Sequence, residues 1–201
     1  MNRILVWDWP VRIGHWLLVG AFALAWLTSE SEELRLVHAF AGGTVVGVVL
    51  FRVVWGLIGT RHARFASFVR GPGAAWTYLR GLLSGRPPHT AGHNPAGGLA
   101  IVALLGLGLL SGVSGWLTYN EVAGELFEEA HEMLASAMLA LALLHVAGVA
   151  VGSLAHRENL VRAMFTGMKQ GAAGEAIHRV RPLAAVALLV WTAACAWWLA
   201  R

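Results

Sequence analysis

Charge is scarce in this 201-residue chain: Asp, Glu, Lys and Arg together make up 13% of it. A soluble domain carries about 25%, so there is too little charge here to cover a water-facing surface. Cysteine is nearly absent as well. The single Cys195 excludes an internal disulfide and a thiolate-held cluster, and no C-x-x-C-H stretch offers covalent haem attachment. Apolar residues fill the space instead, at 57%, with a mean hydropathy of +0.62. Two residue types stand out against that background, ten Trp and nine His. Trp gathers where a membrane meets water, whereas His is costly inside a bilayer unless it has a task.

A membrane-crossing helix needs about 20 mostly apolar residues. Five runs meet or approach this: 11–28, 36–59, 96–117, 131–154 and 183–200. The first does not read as a cleaved signal peptide, because it lacks a small-residue cleavage site and carries Arg12 and His15 near its start. The connections alternate in character. Residues 29–35 and 118–130 are acidic, while 60–95 and 155–182 are basic. Within the longest, Gly71-Pro72-Gly73 is a turn signal and Gly85-Arg86-Pro87-Pro88-His89 breaks any helix. Between them, residues 75–83 are expected to form a short interfacial helix with Trp76 and Tyr78.

The net charge of +4 is explained by position. Thirteen basic residues (Arg3, Arg12, Arg52, Arg61, Arg64, Arg70, Arg80, Arg86, Arg157, Arg162, Lys169, Arg179, Arg181) fall on one side, and only Arg35 and Arg201 on the other. Eight of the eleven acidic residues take the opposite side. By the positive-inside rule the N-terminus is cytoplasmic and the C-terminus is outside. Basic residues spread over three segments suit membrane topology rather than a nucleic-acid face. The expected surroundings are therefore lipid.

Four histidines lie in or at the ends of the runs: His15, His38, His131 and His145. His131 and His145 are separated by about 21 Å of helix rise and share a face to within about 40°. Depth counting sets His15 level with His145 towards the basic side, and His38 level with His131 towards the acidic side. Two His at each of two depths, from three helices, suit two bis-histidine haems stacked across a bundle. A zinc site would want three or four ligands in one layer. A proton relay would want carboxylates at mid-depth, and the runs have almost none. Gly14, Gly42, Gly43, Gly47, Gly148 and Gly152 suit close approach of a macrocycle, or helix–helix packing through small residues. Arg52, on the His38 helix, and Arg12, one turn before His15, can pair a haem propionate or snorkel to the interface.

The stretch Trp7-Asp8-Trp9-Pro10-Val11-Arg12-Ile13-Gly14-His15-Trp16 resembles the first helix of the prokaryotic cytochrome b561 family, which is related to the b-type cytochrome subunits of nickel–iron hydrogenases. His38-Ala39-Phe40-Ala41-Gly42 with Leu50-Phe51-Arg52 is similar to its second helix. Residues 59–72 and Gly92-His93-Asn94-Pro95-Ala96-Gly97-Gly98 are similar to its cytoplasmic loop. His131-Glu132, His145 and residues 156–164 resemble its fourth helix and exit. The resemblance implies an all-α, polytopic four-helix membrane bundle over residues 1–169, in a bacterial inner membrane. It implies two haem b groups, His15 paired with His145 and His38 with His131. It implies electron transfer between the quinone pool and a redox partner such as a periplasmic cytochrome or a hydrogenase. Superoxide oxidation coupled to quinone, and service as the membrane anchor of a larger oxidoreductase, are the alternatives. A homo-oligomer stays open. His93, Asn94, His156 and Arg157 are the candidates for contact with a quinone oxygen. Residues 170–201 depart from the family pattern as a linker and a fifth, peripheral helix that covers the bundle or meets a partner subunit.

Overall fold

The computed structural model describes residues 2–85, 88–122 and 124–201. Arg86 and Pro87 of the expected helix-breaking stretch lie outside the described residues. In chain order the elements are strand β1 (Asn2–Leu5), helices α1 (Trp9–Leu27), α2 (Arg35–Ile58), α3 (Phe65–Phe68), α4 (Pro72–Leu83), α5 (Pro95–Tyr119), α6 (Glu125–His156) and α7 (Leu160–Thr166), strand β2 (Met168–Gly171), and α8 (Pro182–Leu199). Five helices, α1, α2, α5, α6 and α8, are long and apolar enough to cross a membrane. Local chemistry sets their starts. Asp8 and Asn94 cap α1 and α5 by accepting the N–H groups of Val11 and Gly97, and Pro occupies the first turn of both helices.

Helices α1, α2, α5 and α6 share a mid-depth core of Ala21, Val45, Val49, Leu105 and Met138. The packing around it is uneven. Helix α6 lies along α5 and makes only marginal contact with α1 and α2. The four-residue α3 and the twelve-residue α4 lean on this bundle at the basic end, and α4 begins at Pro72, three residues earlier than the sequence suggests. Helix α6 also begins earlier than expected, at Glu125. It draws the acidic residues Glu125, Glu128, Glu129 and Glu132 into its first two turns and sets His131 about 9 Å inside the helix.

The fifth helix covers the bundle. α8 packs along α2 and touches α1. A Cβ built on Gly43 would lie 2.8 Å from Ala196 Cα, and one on Gly47 would lie 3.0 Å from Thr192 Cα. These two glycines therefore serve helix packing, in the small-residue manner. Trp191 Nε1 donates to the Gly47 carbonyl at 3.1 Å, and Leu188 is fully buried. Cys195 sits half-buried in the same seam. Gly43→Leu is expected to push α8 off α2, read as a several-fold faster reaction of Cys195 with a maleimide.

The basic end is closed by a feature with no sequence signature. β1 and β2 pair antiparallel, with Ile4 opposite Lys169. Helix α7 feeds this sheet through Gly167, which adopts φ +79°, a conformation few side chains tolerate, beneath the Trp7 carbonyl. The Gly167 carbonyl accepts the N–H groups of Val6 and Trp7. Ile4, Val6, Trp7, Val11, Ala63, Ala91 and Ala163 form a second, separate core under this seam.

Candidate functional site

The structure sets His38 and His131 ring to ring, and places His145 within electrostatic range of His15. At the acidic end the rings of His38 on α2 and His131 on α6 lie 6.0 Å apart between centroids and are almost perpendicular, at 82°. Each ring is held by the same device. His38 Nδ1 donates to the Ala25 carbonyl of α1 at 2.9 Å, and His131 Nδ1 to the Ser111 carbonyl of α5 at 2.9 Å. With Nδ1 engaged, Nε2 is the nitrogen left free on both rings, an arrangement suited to a metal-binding histidine, whose tautomer an outer hydrogen bond fixes. A metal–imidazole bond is about 2 Å, so two axial rings on one metal have centroids roughly 6 Å apart. At the basic end His145 of α6 lies within electrostatic range of His15 on α1. His15 Nδ1 is buried without a partner.

Several features fit a flat, anionic-edged macrocycle between these helices. Gly42, one turn beyond His38, and Gly148, three residues beyond His145, meet nothing within 4 Å where a Cβ would stand. Arg52 has both Nη atoms buried and unpartnered, and its guanidinium lies over the Phe65 and Phe68 rings at 5.1 and 5.8 Å. Arg12 is used differently. Its Nη2 donates to the Phe165 carbonyl of α7, and the neighbouring Trp16 stacks on Phe165 at 4.3 Å. Among the described residues no group of three or more His, Cys, Asp or Glu side chains could hold a bare metal ion. Two-ligand sites are instead the donor set of a macrocycle that brings its own four nitrogens.

Around the basic end, buried polar groups form a dense cap. Asp8 is fully buried, and beyond capping α1 it accepts the Trp55 indole N–H at 3.0 Å and the Thr60 hydroxyl at 2.6 Å. His62 Nε2 donates to the Glu175 carbonyl at 2.7 Å, and burial pushes its pKa down. Lys169 is buried and donates to the Thr90 and Gly92 carbonyls, and desolvation lowers its pKa too. Of the residues named for contact with a quinone, Asn94 caps α5, His156 Nε2 pairs with the Tyr78 hydroxyl at 3.1 Å, and Arg157 takes a left-handed turn (φ +51°) that ends α6.

Sequence reading missed two residues beside His131. Ser111 supplies the carbonyl acceptor, and Gly115 gives the ring room, since a Cβ there would lie 2.7 Å from His131 Cε1. Their only signal is a small-xxx-small spacing on α5. Gly115→Val is expected to displace the His131 ring and remove cofactor from the acidic-end pair alone, read as loss of one of two b-type components in the reduced spectrum.

A multi-pass bundle with paired histidines between its helices defines a membrane cytochrome of the b type. The family model for prokaryotic cytochrome b561 matches residues 6–167, and the chain belongs to that family. Membership implies haem b. Among curated proteins it is 29% identical over 143 residues to the "Probable Ni/Fe-hydrogenase 1 B-type cytochrome subunit" of Escherichia coli (strain K12), covering 58% of this chain and 60% of that protein. It is 28% identical over 149 residues to the "Probable Ni/Fe-hydrogenase B-type cytochrome subunit" of Rhizobium leguminosarum bv. viciae, with 61% and 62% covered. It is 29% identical over 152 residues to the protein of that same name from Azotobacter vinelandii, with 61% and 62% covered. The chain thus spans about three-fifths of the length of these relatives. No solved structure gives a significant match.

Proposed function

We propose that this chain is a two-haem cytochrome b that carries electrons between the quinone pool and a redox protein at its acidic face. His15 and His145 hold the haem nearer the basic end, and His38 and His131 hold the one nearer the acidic end. The observation that carries this reading is the His38–His131 pair, whose spacing suits two axial rings and whose Nδ1 atoms are both tied to backbone carbonyls. When bound, haem b supplies one-electron exchange at these two levels. The protein's part is to orient the ligands and to exclude water. The Ala25 and Ser111 carbonyls raise the basicity of the coordinating nitrogens. The Val45, Val49, Leu105 and Met138 core keeps the region between the levels dry. Arg52 offers its unpartnered fork to a propionate, and the free Nε of Arg12 faces the same end. Thirteen basic residues on one side support a cytoplasmic N-terminus in an inner membrane.

The hydrogenase cytochrome subunits among its relatives favour a second reading, in which the chain is the electron-transfer subunit of a larger oxidoreductase such as a hydrogenase. One experiment addresses both. The purified protein is expected to show reduced b-type bands at about two haems per chain and to be reduced by a quinol without a partner. Reduction only after a partner enzyme is added would favour the subunit reading. Absence of b-type bands would refute the haem assignment.

A further inference from the structure

Two half-buried polar side chains at the basic end carry buried nitrogens without partners and lie on the same aromatic ring. His93 packs between Trp7 at 4.4 Å and Phe68 at 4.7 Å, and its Nδ1 has no partner. The Arg52 guanidinium stands 5.8 Å from the same Phe68 ring, and both its Nη atoms are free. His93 is within electrostatic range of Arg52 and of His145. Asp8, the carboxylate that acts on Arg52, is already engaged by Val11, Trp55 and Thr60. A buried cation without a free counter-ion is strongly disfavoured, so this pair of donors calls for an anion. A guanidinium fork with both Nη atoms open matches the two oxygens of a carboxylate, whereas a neutral carbonyl would leave its charge uncompensated.

We propose that His93 and Arg52 together form a carboxylate-binding site for a propionate of the basic-end haem, and that Lys169 is its positioning residue. This rests on the two-haem reading. His93 rides on the loop whose Thr90 and Gly92 carbonyls accept from Lys169 Nζ, at 3.2 and 3.1 Å. Lys169 is itself fixed opposite Ile4 in the β1–β2 seam. That seam, formed by Asn2–Leu5 and Met168–Gly171, braces the loop through Lys169. Burial and the Arg52 charge hold the His93 pKa well below the ordinary histidine value. The ring therefore donates as a neutral N–H.

Potentiometric titration of the purified holoprotein tests this, with the basic-end haem identified as the component lost in His145→Ala. His93→Phe keeps the aromatic stack and removes the donor. It is expected to lower the midpoint of that haem and to shift its propionate bending mode in the resonance Raman spectrum, leaving the other haem unmoved. His93→Gln, which keeps a side-chain N–H, should stay nearer wild type, and Lys169→Met should reproduce the His93→Phe shift by releasing the loop. Wild-type values in His93→Phe with both haems retained would overturn the site, as would equal shifts of both haems. If His93→Phe does not fold, a Lys169→Met protein with unaltered midpoint and Raman mode overturns it instead. A wild-type protein without b-type bands would refute the two-haem reading itself, a result distinct from either.

Discussion

His131→Ala should leave a folded protein with half the haem of wild type, and His145→Ala should do the same at the other end. The two remaining spectra should sum to that of the parent. The expectation follows from how the rings are held. His131 is fixed by the Ser111 carbonyl and His38 by the Ala25 carbonyl, so each acidic-end ligand is oriented by a different neighbouring helix. Removing one imidazole would leave its partner in place but take away one of the two side chains proposed to hold that haem. Among the described residues the basic-end pair shares no hydrogen bond with it, and His131 and His145 are about 21 Å apart along α6. Independent sites at such distances behave additively. Pyridine haemochrome content per chain measures the outcome. Loss of both haems in either variant would mean one cooperative site, and loss of neither would remove these residues from ligation.

The second large effect belongs to Asp8. Replacing it by Ala should lower the stability of the bundle by several kcal/mol, because a fully buried carboxylate satisfies three donors from three places in the chain. The α1 cap is worth about 1 kcal/mol. The part-buried donors left unsatisfied, the Trp55 indole and the Thr60 hydroxyl, each add about 1 kcal/mol. Asp8→Asn keeps an acceptor oxygen for the cap and should lose less. Thermal unfolding in detergent, followed by tryptophan fluorescence, should rank wild type above Asp8→Asn above Asp8→Ala. An Asp8→Ala midpoint equal to wild type would show that the cap stands without its carboxylate.

Much of this architecture could be read from residues alone. All five spans are apolar runs of sufficient length, and a rise of about 1.5 Å per residue is enough to sort four histidines into two levels. The proximity of His38 to His131 and of His15 to His145 follows from that count. What could not be read is backbone chemistry. The carbonyls of Ala25 and Ser111 have no residue signature as acceptors. The strands Asn2–Leu5 and Met168–Gly171 are too short to show alternation, and only the closed bundle brings them side by side. The start of α6 was also obscured, because four glutamates in its first two turns read as loop although they favour a helix N-terminus.

The β1–β2 seam also bears on the order of assembly. It joins residue 4 to residue 169, so the closing contact waits for all four family helices to be made. Long-range pairings form late, because chain closure must be offset before they contribute anything. The seam is therefore expected to close after α1, α2, α5 and α6 have packed. Any ligand that binds only the closed form would then hold the seam shut by mass action.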